Sequence, residues 1–155
     1  MTLLNKHISR LTTLPIFQNF VRRFDLNYFT EESFIYAFNS KLLIHIYEES
    51  DALFIDIYNL RERTTASTHN MNGSEFVNIE TARKIYAQFI SDPEFNSGSV
   101  SKKSYAQFCM DLTLMTNQYP DIFSDPDRYS SVFRTAGEHI FNRNMELIRK
   151  HGFQF

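Results

Sequence analysis

The chain has 155 residues, of which 43% are hydrophobic and 22% charged. These proportions exclude a wholly disordered chain and suit one globular domain over residues 1–155, long enough to bury a core. A formal net charge of −2 argues against a dedicated nucleic-acid binder, and a lone cysteine, Cys109, excludes an intramolecular disulfide and a thiolate metal cluster.

Leu4, Ile8 and Leu11 recur at helical spacing, and Thr12 or Thr13 precedes Leu14-Pro15. Proline fits the first turn of a helix and disrupts its interior. The pattern predicts a break there and a second helix from about Pro15 to Phe24, with one kinked helix as the alternative.

The stretch FIYAFNSKLLIHIYEESDALFIDIYNL, Phe34 to Leu60, is rich in β-branched and aromatic residues interrupted by turn-formers. It predicts three strands, Phe34–Phe38, Leu42–Tyr47 and Leu53–Leu60, joined as a meander. Leu42, Ile44 and Ile46 share one strand face, and Leu53, Ile55 and Ile57 share another. Burying both sets on one side pairs Ile46 with Ile55 and Ile44 with Ile57. His45 then lies opposite Asp56, Tyr47 opposite Phe54, and Leu43 opposite Tyr58. A slip of one residue would mix the faces.

Residues 61–76 are polar and aperiodic and read as a mobile loop. Asn78 is a candidate N-cap for a helix Ile79–Ser91 whose core face is Ile79, Ala82, Ile85 or Tyr86, and Phe89. Ser101 caps a predicted helix over Lys102–Gln118, with Tyr105, Phe108, Cys109, Leu112 and Met115 inward. Asp125-Pro126-Asp127 is a helix start signal. The last helix is expected to run to about Lys150, using Tyr129, Val132 or Phe133, Ala136, Ile140, Leu147 and Ile148, with Gly152 as its C-terminal stop. The expected fold class is α+β: an N-terminal helix or helices, a small antiparallel β-meander over about residues 34–60, then three C-terminal helices packed on the sheet.

Charge is unevenly spread. Residues 1–23 carry Lys6, Arg10, Arg22 and Arg23 and no acid, whereas residues 24–60 carry seven acids against Lys41 alone. The strand region would attract a basic partner and repel a phosphate backbone. The N-terminus lacks a continuous apolar signal segment, and no window approaches the roughly 18 apolar residues of a membrane span. The chain therefore reads as cytoplasmic, with neither membrane nor nucleic acid as partner.

His45 opposite Asp56 is the one arrangement that suggests acid–base chemistry. No glycine-rich loop, serine elbow or paired-carboxylate motif accompanies it, so a cross-strand surface pair is the competing reading. His7, His69, His139 and His151 form no metal-ligand spacing. Cys109 falls on an inward helix face and reads as core. Arg61 and Arg63 flank Glu62 and read as solvated surface. No catalytic residue, metal or cofactor is expected.

The remaining feature is the second sheet face, with Leu43, His45, Tyr47, Phe54, Asp56 and Tyr58, and Glu48, Glu49 and Asp51 at the adjoining loop. Tyrosines ringed by carboxylates suit a protein-binding surface for a basic partner. A helix covering this face would instead make its aromatics core.

In size and in the layout of FIYAFNSKLLIHIYEESDALFIDIYNL, the chain resembles the immunity proteins of bacterial polymorphic-toxin and contact-dependent growth inhibition systems. The likeness is one of layout and transfers no site residue. It implies a non-enzymatic, stoichiometric inhibitor of a toxin domain, often a nuclease, whose basic cleft an acidic face would cover. The alternatives are a secretion chaperone or adaptor, a small enzyme using His45 and Asp56, and a nucleic-acid binder using the N-terminal basic residues.

Overall fold

The computed structural model describes residues 11–31, 34–49, 52–68, 71, 78–93 and 101–152, with Glu49 and Ala52 described at the backbone only. The expected helix over Leu4 and Ile8, and Asp51, lie outside the described residues. The fold is α+β, with a six-stranded antiparallel sheet in the order β1-β2-β3-β4-β5-β6.

Helix α1, Pro15–Arg23, opens with proline in its first turn and buries Phe17, Phe20 and Val21. The chain turns at Asp25, whose φ of 51° is left-handed, a region that aspartate tolerates better than most residues. Strand β1, Asn27–Glu31, follows and pairs with β2, Phe34–Phe38. Strands β3, Leu42–Glu49, and β4, Ala52–Asn59, form the central hairpin. Its register sets Ile46 opposite Ile55, Ile44 opposite Ile57, His45 opposite Asp56, Tyr47 opposite Phe54 and Leu43 opposite Tyr58, as the alternation argument requires.

The sheet is wider than the expected meander. Within the segment read as a mobile loop, Thr64–Ser67 forms β5 against β4. Arg134–Thr135 forms β6 against β5. The expected single helix from Asp125 is also divided: a 3-10 helix spans Pro126–Val132, the chain extends at Phe133, and only then does α4 cover Glu138–Lys150. Pairing explains the division. The β6 register and a bond from the Ala136 amide to the Arg63 carbonyl, 3.1 Å, hold this segment extended.

The helices lie on both sides of the sheet, not on one. Ile35, Ala37, Leu42, Ile44, Ile46, Ile55, Ile57 and Ala66 build the aliphatic side of the core with Phe17, Phe20, Phe108 and Leu112. These last four come from α1 and from α3, Lys102–Gln118. Phe17 stacks on Phe108 at 6.2 Å. Helix α2, Ile79–Ile90, packs outside α3, with Phe89 against Tyr105 at 6.2 Å. Ile79, expected in the core, is 55% exposed.

Helix α4 covers the opposite, aromatic face. Tyr36, Phe38, Leu43 and Tyr58 pack there with Phe141 and Ile148 in a second apolar cluster. The inward stripe of α4 is Phe141, Asn144 and Ile148, while the expected Ile140 is 54% exposed.

Candidate binding surface

Helix α4 crosses the sheet from one edge toward the other. Near its start, Arg63 of the β4–β5 turn lies over the Phe141 ring at 4.4 Å and donates to Asn142 Oδ1 at 3.0 Å. In mid-course, the Tyr36 hydroxyl of β2 donates to Asn144 Oδ1 at 3.3 Å. At its end, His151 stacks on Phe29 of β1 at 3.8 Å, and its Nε2 lies 2.7 Å from Glu31 Oε2. The hydrogen bond with His151, aided by Lys150, holds the Glu31 carboxyl below its ordinary range.

This path divides the aromatic face. Tyr58, expected on the surface, is 4% exposed and belongs to the core under α4. Toward the β3–β4 loop, a ladder of half-buried rings continues past the helix. Phe34 meets His45 edge-on at 5.0 Å, His45 tilts against Tyr47 at 4.9 Å, and Tyr47 stacks on Phe54 at 5.5 Å. Phe54 is 39% exposed. Strand alternation brings these residues together, since 34, 45, 47, 54 and 56 fall on one side in the observed register.

His45 and Asp56 are cross-strand neighbours, but their side chains have different partners. The Asp56 carboxylate accepts a hydrogen bond from the Tyr47 hydroxyl at 3.1 Å. The His45 ring stacks on Tyr36 with ring planes 1° apart and centroids 4.7 Å apart. Its Nε2 is buried without a hydrogen-bond partner, as is Nδ2 of Asn144. Burial, with the charge of Arg143 from α4, pushes the His45 pKa down to about 4. Burial raises the Asp56 pKa, and the Tyr47 bond opposes that rise in part. Tyr36 is pushed up to about 12, chiefly by burial. At neutral pH the ladder therefore holds a neutral imidazole beside one half-buried carboxylate.

The other expected residues are more dispersed. Glu48 pairs with Leu53, so alternation puts it on the aliphatic side of β3, away from Tyr47. Glu49 ends β3, and Asp51 lies outside the described residues. Sequence reasoning missed Phe34, Arg143 and Asn144. Asn144 left no readable signal, because a polar residue at helical spacing between Phe141 and Ile148 counts against that face being the inward one.

Concavities lie elsewhere. One of about 420 Å³, between α1 and α3, is lined by Ile16, Phe20, Arg23, Leu112 and Thr116. Another of about 170 Å³ is lined by Lys41, Asn59, Arg61 and Asp127. In the latter, Asn59 donates to Asp127 at 2.8 Å, Arg61 pairs with Asp127, and the Lys41 ammonium donates to the Ser124 carbonyl at 2.7 Å. No group of three His, Cys, Asp or Glu suited to a metal occurs among the described residues, and no described helix is long and apolar enough to cross a membrane.

Comparison with known protein families, with curated proteins and with solved structures found no match to the chain.

Proposed function

We propose that the chain is a protein-binding inhibitor of the immunity type, docking a basic toxin domain on the part of the sheet that α4 leaves uncovered. The observation that supports this reading is the ladder of Phe34, Tyr47 and Phe54 beside Asp56. Aromatic rings with a polar tip give large contact area at low entropic cost, and such rings anchor protein interfaces. The acids of residues 24–60 supply the attraction for a basic partner.

The test is affinity capture of the tagged chain from its native cells with mass spectrometry. It is followed by expression of the captured partner alone and with the chain. One stoichiometric basic partner, toxic alone and neutralised by the wild type but not by Phe54→Asp, is the expected result. Several unrelated clients, held equally well by Phe54→Asp, would overturn it in favour of a chaperone. Replacing Glu48, Glu49 and Asp51 together by lysine is expected to slow association roughly tenfold or more at low salt, with dissociation little changed. Stopped-flow mixing with the partner checks this, and an unchanged on-rate would remove the acidic loop from the interface.

A further inference from the structure

The binding reading can be taken to the level of one side chain. We infer that the notch formed by Tyr47, Phe54 and Asp56 receives an arginine of the basic partner, its side chain packed against the Phe54 ring and its guanidinium hydrogen-bonded to the carboxylate. This rests on the proposed partner-binding role and specifies its chemistry.

Three observations carry the inference. First, among the described residues Asp56 forms no ion pair, and its hydrogen bond, from Tyr47, engages Oδ2. A half-buried carboxylate without a cation is costly in a free protein and gains most from one that arrives. Arg143 of α4 acts on His45 through its charge but makes no ion pair with Asp56. Second, Tyr47 and Phe54 are stacked within 20° of parallel, and Phe54 is 39% exposed. With one face against Tyr47, the partly exposed Phe54 ring is the one left to meet a further planar group. Third, Phe54 and Asp56 stand two residues apart on one strand and one face, a separation of about 7 Å. An arginine side chain laid along that distance can rest on the Phe54 ring and bring its guanidinium to the carboxylate.

Those requirements select arginine over lysine. A guanidinium stacks on rings and offers paired N–H donors in one plane, whereas an ammonium is a compact, strongly hydrated point charge. His45 contributes by remaining neutral, since a charged imidazole beside Asp56 would compete with the incoming cation.

The experiment titrates the full chain with N-acetyl-arginine methylamide, and separately with the lysine analogue at equal ionic strength. Ring and carboxyl resonances are followed by NMR. Saturable shifts at Tyr47, Phe54 and Asp56 are expected, with the arginine compound binding about fivefold or more tighter. The shifts should vanish in Asp56→Asn, whose amide fingerprint verifies the fold. Phe54→Ala, at an exposed position, gives a second variant with the carboxylate intact and should weaken arginine more than lysine. Equal response to both compounds, or an unchanged response in Asp56→Asn, would overturn the notch. The two readings fail separately. Saturable arginine binding with no basic partner in cells would keep the notch and remove the inhibitor role. A partner bound equally by wild type and Asp56→Asn would keep the role and remove the notch.

Discussion

At the residue scale, His45 and Asp56 couple stability to pH in opposite senses. The folded pKa of His45, about 4, lies below its ordinary value of 6.5. The unfolded chain therefore binds a proton that the folded chain refuses. His45 contributes stability that is fully present above pH 6.5 and is lost as pH falls toward 4. The loss is on the order of 2–3 kcal/mol. His45→Phe, which also removes the unpartnered Nε2, should flatten the acid limb of chemical denaturation measured between those pH values. Asp56 behaves in reverse. Its folded pKa is raised above 3.8, so the folded state loses stability as pH rises from that value through the raised one. Asp56→Asn should match or exceed wild-type melting temperature at pH 7, and the advantage should shrink on acidification. Thermal melts across pH check both. The opposition of these residues was legible from the strand pattern, because alternation and burial fix the register. Their hydrogen bonds were not: Asp56 takes its bond from Tyr47 rather than from His45, and that depends on side-chain torsions which period-two patterning does not address.

At the element scale, helix boundaries marked by chemical punctuation were readable. Asn78 accepts from the Glu80 and Thr81 amides at 2.9 and 3.2 Å, and Ser101 accepts from the Ser104 amide at 3.1 Å. Asn78→Ala should cost about 1 kcal/mol in urea unfolding, chiefly through α2. The strands that escaped notice share a cause. In β1 the half-buried residues are Phe29 and Glu31, and in β5 only Ala66 is fully buried. A strand of four or five residues with so few buried positions leaves no period to count. The misread face of α4 has a different origin. Ile140 and Phe141 are adjacent apolar residues, and the choice between them is made by Asn144, which turns inward to meet Tyr36. A polar residue inside a stripe runs against amphipathic counting.

At the scale of the whole molecule, the sheet is a middle layer with α1 and α3 on one side and α4 on the other. The sheet offers mainly leucine and isoleucine to the first side and mainly aromatic rings to the second, so the two interfaces should respond differently to truncation. Ile148→Ala, at a fully buried position on α4, should cost about 3 kcal/mol. It should also expose Tyr36 and Tyr58, raising dye binding and tyrosine quenching while the α3 side stays protected from hydrogen exchange. Uniform loss of protection on both sides would show instead that the layers melt as one. The aromatic layer was the part of the architecture least legible in the sequence. Rings at 36, 47, 54 and 58 serve equally well as an exposed patch or as a floor, and only the course of a helix distant in the chain divides them into one and the other.

That helix has a mechanical consequence. In a pure meander each strand is bonded only to its neighbours in sequence, so such a sheet can peel from either margin one strand at a time. Here the chain adds its last strand at one margin and then returns over the face to the other, fastening His151 and Lys150 to Glu31. The two margins become parts of one closed circuit. Opening that clasp with Glu31→Gln should therefore let the first strand fray, seen as faster amide exchange confined to β1, while β3 and β4 exchange as before.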